Sequence, residues 1–133
     1  MQSVVIGVLR DAAGQFLVAK RRSDQFAAGL WEFPGGRVEA GEGAWQALCR
    51  ELREEVGVTA HKGVRIWQKQ HQYSDRRLCL SAFWVPHFSG EAAGREGQIC
   101  QWVPWADLCQ LAMPAANADL MRTLQAYLVS LND

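Results

Sequence analysis

The sequence predicts an α+β fold, a single domain of strands packed with two main helices. Three observations carry that expectation. The 133 residues fall in the ~100–150 range where single domains cluster, and with 49% apolar residues the chain can bury a core without staples or a partner. Short β-branched and aromatic runs alternate with glycine-marked turns. Two longer segments instead carry the 3.6-residue period of an amphipathic helix.

In chain order, residues 3–10 (SVVIGVLR) read as a strand, 11–14 as a turn and 15–20 (QFLVAK) as the returning strand. Residues 23–30 are polar with a glycine and read as a loop. Residues 31–33 form a short strand stopped by Pro34, Gly35 and Gly36, which predict a tight turn. Residues 43–56 make a helix ended by Gly57. Residues 64–73 and 78–87 read as a strand pair around Ser74, Asp75, Arg76 and Arg77. Three glycines make 89–97 a loop, 99–103 is a last strand, and 105–110 a short helix. The helix over 117–131 lines up Leu120, Leu124, Tyr127, Leu128 and Leu131. No repeat, linker or low-complexity segment interrupts the series.

Lys plus Arg and Asp plus Glu both number 14, for a net charge of zero. A polynucleotide partner needs a basic face, so none is expected; a small anion held by a few placed cations is compatible. No apolar run reaches the ~18 residues of a membrane span, and the first residues lack the features of a signal peptide. The expectation is a cytoplasmic monomer without a membrane partner. Cys49, Cys79, Cys100 and Cys109 form no CxxC pair and have no His at finger spacing, which predicts reduced thiols rather than zinc.

The first helix carries the chemistry. At about 100° per residue, Glu51, Glu54 and Glu55 share an arc about 100° wide. Trp45, Leu48, Cys49, Leu52 and Val56 fill the neighbouring arc as the core face, with Arg50 and Arg53 on the far side. Three acids at i, i+3 and i+4 repel one another by a few tenths of a kcal/mol per pair. A hard divalent cation would compensate, as would a solvated face offset by the two arginines.

The surroundings decide between these. Gly36 is followed by Glu42, then Arg50, Glu51, an apolar Leu52, Glu54, Glu55, Gly57 and an apolar Val58. The pattern is G-x5-E-x7-R-E-U-x-E-E-x-G-U, with U apolar. At roughly one in fifteen per fixed letter, chance produces it on the order of 10⁻⁸ per starting position. By this intact Nudix box the chain resembles the Nudix hydrolases. The resemblance implies one Nudix domain over residues 1–133, an α/β/α sandwich with a mixed central sheet. It also implies attack by water on a phosphorus of a nucleoside diphosphate linked to another group, with Mg2+ or Mn2+ bound. On that resemblance Glu51, Glu54 and Glu55 are metal ligands or water-activating groups, and the carbonyl of Gly35 is a further ligand. Arg50 holds the carboxylates through bidentate bonds. Glu42 is either a first-turn acid favoured by the helix dipole or a more distant ligand.

Outside the box the chain is similar to the MutT-type branch, which converts oxidised purine triphosphates such as 8-oxo-dGTP to the monophosphate and pyrophosphate, in nucleotide-pool sanitation and mutation avoidance. Four segments carry that similarity: Lys20-Arg21-Arg22, Ser74-Asp75-Arg76, Gly94-Arg95-Glu96-Gly97-Gln98 and Pro114-Ala115-Ala116-Asn117. The resemblance assigns Arg22 and Arg76 to the nucleotide, Glu96 to the catalytic and metal-binding acids, and Asn117 to the purine edge. Each has a plainer reading: Arg22 a solvated strand end, Arg76 a hairpin cation, Glu96 a loop acid, Asn117 a helix cap. Phe33 is a stacking platform for the base or a core residue. Residues 28–36 (AGLWEFPGG) also resemble pyrimidine-preferring members, so a CTP-like or 5-hydroxy-CTP substrate is the alternative. A non-catalytic nucleotide-binding module is the remote one.

Overall fold

The computed structural model describes residues 2–24 and 28–131. It contains strands β1 (Gln2–Leu9), β2 (Phe16–Lys20), β3 (Trp31–Glu32) and β4 (Gly35–Arg37), helix α1 (Ala44–Val56), strands β5 (Thr59–Gln72), β6 (Arg77–Ser89) and β7 (Ile99–Val103), and helices α2 (Trp105–Leu108) and α3 (Asn117–Leu131). Part of the loop expected over 23–30, namely 25–27, lies outside the described residues.

Two sheets form the middle. The larger is mixed, in the order β4-β1-β6-β5. Here β1 runs parallel to β6 and antiparallel to β4, and β5 is antiparallel to β6. The smaller, β3-β2-β7, is antiparallel. Strand alternation sends side chains to two cores. Val5, Leu9, Leu17, Phe83 and Val85 pack with Ala47, Leu48, Leu52 and Val56 of α1. Val8, Phe16, Val18, Ala82 and Trp84 pack with Leu120 and Leu124 of α3. This is the expected α+β sandwich, with its sheet layer divided into two. Trp67 Nε1 donates to Asp119 across 3.0 Å, tying α3 to β5. All four cysteines are free. Among the described residues no helix is long and apolar enough to cross a membrane.

Most strand ends shift by one or two residues, and three other differences have a physical reason. Gly35 and Gly36 are not a turn but strand β4, paired with Ile6 and Val5. A Cβ on Gly35 would overlap the Val5 carbonyl, so glycine is what lets the two backbones meet. Pro34 uses its carbonyl to accept from Gly7 N at 2.8 Å. Strand β5 begins at Thr59 rather than residue 64, because three register irregularities between Ala60 and Trp67 break its alternation. Helix α2 ends at Leu108 rather than residue 110, closing through a turn from Asp107 O to Gln110 N.

Candidate active site

Helix α1 and strand β4 build the acidic centre. Gln46 Oε1 reaches back to the backbone N–H of Gly43 at 2.9 Å, stabilising the helix start. Gly57 closes the helix in the left-handed region (φ 74°), with its N–H on Arg53 O. Between these ends the three glutamates share one side but not one environment. Glu54 is 56% exposed and Glu51 is 20% exposed, whereas Glu55 is buried. Glu55 Oε2 accepts from Gly35 N at 3.2 Å, which ties the helix to β4. Burial, opposed only in part by that bond, pushes its carboxyl up to about 8, with Glu32, Glu96 and Glu51 adding repulsion. Glu51 is also raised, first by burial and then by Glu54 and Glu96, against the pull of Arg50. Its carboxylate sits where a Cβ on Gly36 would be.

Arg50 does not lie on the far side, as the helical wheel placed it, but against the acids. Its Nε and Nη2 bind Glu42 at 2.8 and 3.0 Å, its Nη1 binds Glu51 at 2.9 Å and Glu54 at 3.3 Å, and Nη2 also donates to Arg37 O at 3.0 Å. On the wheel it is only about 40° beyond Glu54, within reach of a long side chain. Glu42 lies ahead of the helix, outside its first turn. The Arg50 guanidinium holds its carboxyl down to about 2, aided by the Glu39 N–H. Glu42 is therefore the anchor that fixes Arg50.

The loop that carries Glu96 meets the end of α1, and the charge of Glu96 adds repulsion to both Glu51 and Glu55. Its loop is tethered rather than free to swing: Arg95 N donates to Glu55 O at 3.0 Å, and Gln98 Nε2 donates to the same oxygen at 3.1 Å. Arg22 belongs here too, donating to the Glu96 carbonyl and pairing with Asp24 at 3.1 Å.

A cleft of about 220 Å³ holds the other expected residues. Phe33, Arg76 and Asn117 line it, over an apolar floor that includes Val4, Ile6, Leu78 and Leu80. Phe33 is buried in the α3-side core while forming part of this wall. Arg76 lies over the Tyr73 ring, 5.4 Å from its centroid. Asn117 is the first residue of α3 rather than the residue flanking it. It is only 9% exposed, and its Nδ2 meets Met113 Sδ at 3.9 Å. The basic residue of 20–22 that lines the cleft is Arg21, not Arg22. Arg21 pairs with Glu32 at 2.8 Å, and Glu32 in turn repels Glu55. The pair thus links the cleft to the acidic centre. Neither residue is singled out by sequence reasoning; the Glu ahead of Phe33 was the available signal.

The donor set of Glu51, Glu54, Glu55, Glu96 and the Gly35 carbonyl is all oxygen, which fits a hard divalent cation. Glu51 and Glu55, raised first by burial and then by neighbouring acids, are carboxylates whose charge such an ion would favour. Among the described residues, no three acids, His or Cys enclose an ion as they stand; Glu51 and Glu54 are engaged by Arg50.

Comparison with known proteins bears on what this arrangement does. The family profile described as NUDIX domain matches residues 5–123. The chain is 38% identical to the 8-oxo-dGTP diphosphatase of Haemophilus influenzae over 91% of its own length and 89% of that protein's. It is 36% identical to the CTP pyrophosphohydrolase of Escherichia coli, over 92% and 90%. A solved MutT structure, from work on the Aliivibrio salmonicida and Vibrio cholerae proteins, superposes with a TM-score of 0.82 at 34% identity. That match covers 95% of this chain and 98% of the other.

Proposed function

The chain belongs to the NUDIX family and is a Nudix hydrolase, and from that premise we propose that it converts an oxidised purine nucleoside triphosphate such as 8-oxo-dGTP to the monophosphate and pyrophosphate. The observation that carries the proposal is the adjacency of two sites. An acidic centre on α1 and β4 adjoins a cleft holding Asn117, Arg76 and Phe33, and the Arg21–Glu32 pair stands between them. A carboxamide offers both a donor and an acceptor, which suits the edge of an 8-oxopurine, where a carbonyl lies beside an N7–H that guanine itself lacks. A wrong base would leave those groups unpaired, and such a loss is strongly selective.

Nudix hydrolases need a divalent metal. We take Mg2+, with Mn2+ as substitute, held by Glu51, Glu54, Glu55, Glu96 and the carbonyl of Gly35. The ion supplies neutralisation of the polyphosphate charge. The residues of the chain do the rest. Arg50, fixed by Glu42, orients Glu51 and Glu54. One of the cluster carboxylates takes the proton of the water as its oxygen bonds to phosphorus and the α–β anhydride P–O bond breaks, giving the monophosphate and pyrophosphate. Arg21 and Arg76 hold the nucleotide, and Arg22 acts on the Glu96 loop. The zero net charge supports free nucleotides rather than polynucleotides as substrates, and the protein is taken as a cytoplasmic monomer.

A pyrimidine substrate is the second reading, favoured by the similarity to a CTP pyrophosphohydrolase. A kcat/KM panel of 8-oxo-dGTP, dGTP, 5-hydroxy-CTP and ADP-ribose, run on wild type and Asn117→Ala, separates the two. The purine reading expects 8-oxo-dGTP to lead in wild type, with its ratio over dGTP falling at least ~10-fold in the variant, the scale of a lost hydrogen-bond pair. A wild-type preference for 5-hydroxy-CTP overturns it in favour of the pyrimidine, and an unmoved ratio removes Asn117 from base reading.

A further inference from the structure

Glu96 is an exposed residue on a glycine-bounded loop whose neighbours Arg95 and Gln98 both bond the Glu55 carbonyl of a helix remote in sequence, so that its charge acts on two acids of that helix. Repulsion between like charges drives it away, so the loop must be held; Arg22 donates to the Glu96 carbonyl, and the loop's own construction supplies a second hold. A Cβ on Gly94 would overlap the carbonyl of Gln98, so the chain closes tightly on itself there. Gly97 turns in the left-handed region (φ 83°). Gln98 follows at the foot of β7, where the next residue, Ile99, is already paired with Lys20 of β2.

From this rigid footing the Gln98 side chain makes two bonds. Its Oε1 accepts from the backbone N–H of Glu96 at 2.8 Å. Its Nε2 donates to the backbone carbonyl of Glu55 at 3.1 Å. Glu55 is itself fixed, buried and bonded to Gly35 N. We propose that Gln98 is a positioning residue for Glu96, its carboxamide bridging the Glu55 carbonyl and the Glu96 N–H so that the loop acid is held against the carboxylate side of α1. The proposal rests on the hydrolase reading above. Of the side chains with this reach, only an amide carries a donor and an acceptor in one plane. A carboxylate would keep a partner for the Glu96 N–H but turn an oxygen toward the Glu55 carbonyl. Arg95 N also reaches that carbonyl, so the loop stays attached without Gln98. What is lost is the bond to Glu96 itself.

The test uses the full chain as wild type, Gln98→Ala, Gln98→Glu, Glu96→Gln and the double variant Gln98→Ala/Glu96→Gln. Amide hydrogen exchange is followed by NMR without metal, and kcat and KM are measured with 8-oxo-dGTP and Mg2+. In Gln98→Ala, exchange at the Glu96 N–H should quicken at least ~5-fold, as expected for one lost hydrogen bond, while amides of the α3 core stay protected. Both Gln98 variants should lose ~10-fold or more in kcat with KM within about twofold, since positioning costs turnover rather than ground-state binding. Added to Glu96→Gln, Gln98→Ala should remove little more, because the two act on one group. Unchanged exchange at Glu96 overturns the proposal. So does a kcat loss that simply adds to that of Glu96→Gln. In both cases an active wild type leaves the hydrolase reading standing. A wild type that hydrolyses no nucleotide overturns that reading and the positioning role with it.

Discussion

Glu55 is the residue on which the acidic centre turns. It is buried at the seam of α1 and β4, and its carboxyl is raised to about 8. In an unfolded chain a Glu titrates near 4.3. A raised folded value means that Glu55 contributes stability fully below the unfolded value and loses it as pH rises through about 8. The metal-free protein should therefore melt at progressively lower temperature between about pH 4.5 and 8, and Glu55→Gln should flatten that slope. Thermal melts in chelator across this range check it; equal slopes in both proteins would contradict the buried-acid account. Glu42 acts in the opposite sense. Held down to about 2 by Arg50, it contributes stability that is full above the unfolded value and is lost progressively as pH falls from there through about 2. At this scale the sequence was legible where the letters of the box are fixed, and less so beside them. Glu55 lies about 40° from Glu51 toward the apolar arc, which signals partial burial but not its extent. Arg21 and Arg22 follow the last residue of β2, where strand alternation no longer says which of two arginines faces the cleft. Gln98 closed one of the four segments that carry the resemblance, but no role attached to it: a single amide in a glycine-rich loop has no period to reveal what it bonds.

Between elements, the contact of β4 with its neighbours assigns two adjacent glycines to different tasks. Gly35 lies against the backbone of β1 and Gly36 against the Glu51 carboxylate. A methyl on Gly35 meets a carbonyl that cannot move without unpairing the strands. A methyl on Gly36 meets the end of a flexible side chain. Gly35→Ala should therefore lower the melting temperature sharply, a loss of several kcal/mol in the range of severe strain and overpacking. Gly36→Ala should keep the melting temperature within a few degrees and lower kcat by ~10²-fold, the scale of a displaced catalytic group. Melting curves and turnover on the two variants check the contrast, and a reversed pattern would contradict it. The tight turn expected at Pro34–Gly36 hid this. Proline and glycine report a break in ordinary geometry, and the break here is a close approach between strands. Likewise Gly63 of β5 sits where a Cβ would overlap the Trp45 ring, within the irregular stretch that concealed the start of that strand.

Across the whole molecule, two cores on opposite sides of the sheet layer place the acidic centre and the cleft independently. The α1 core fixes the acids. The α3 core fixes Phe33 and the start of the helix that carries Asn117. The fold class followed from strand and helix periods because both cores are built from regular alternation. The joining of acidic centre and cleft depends on parallel pairing of β1 with β6, strands almost seventy residues apart, which no local pattern encodes. The central claim is that the acids of α1 cleave a triphosphate bound in the adjoining cleft. The most direct test is to incubate 8-oxo-dGTP with Mg2+ and wild type or Glu51→Gln, and to identify the products by anion-exchange chromatography. The account predicts the monophosphate and pyrophosphate in equal amounts from wild type, no hydrolysis in chelator, and at least ~10²-fold slower turnover by a normally folded Glu51→Gln. Release of orthophosphate with the diphosphate, or near-normal turnover by the variant, would contradict it.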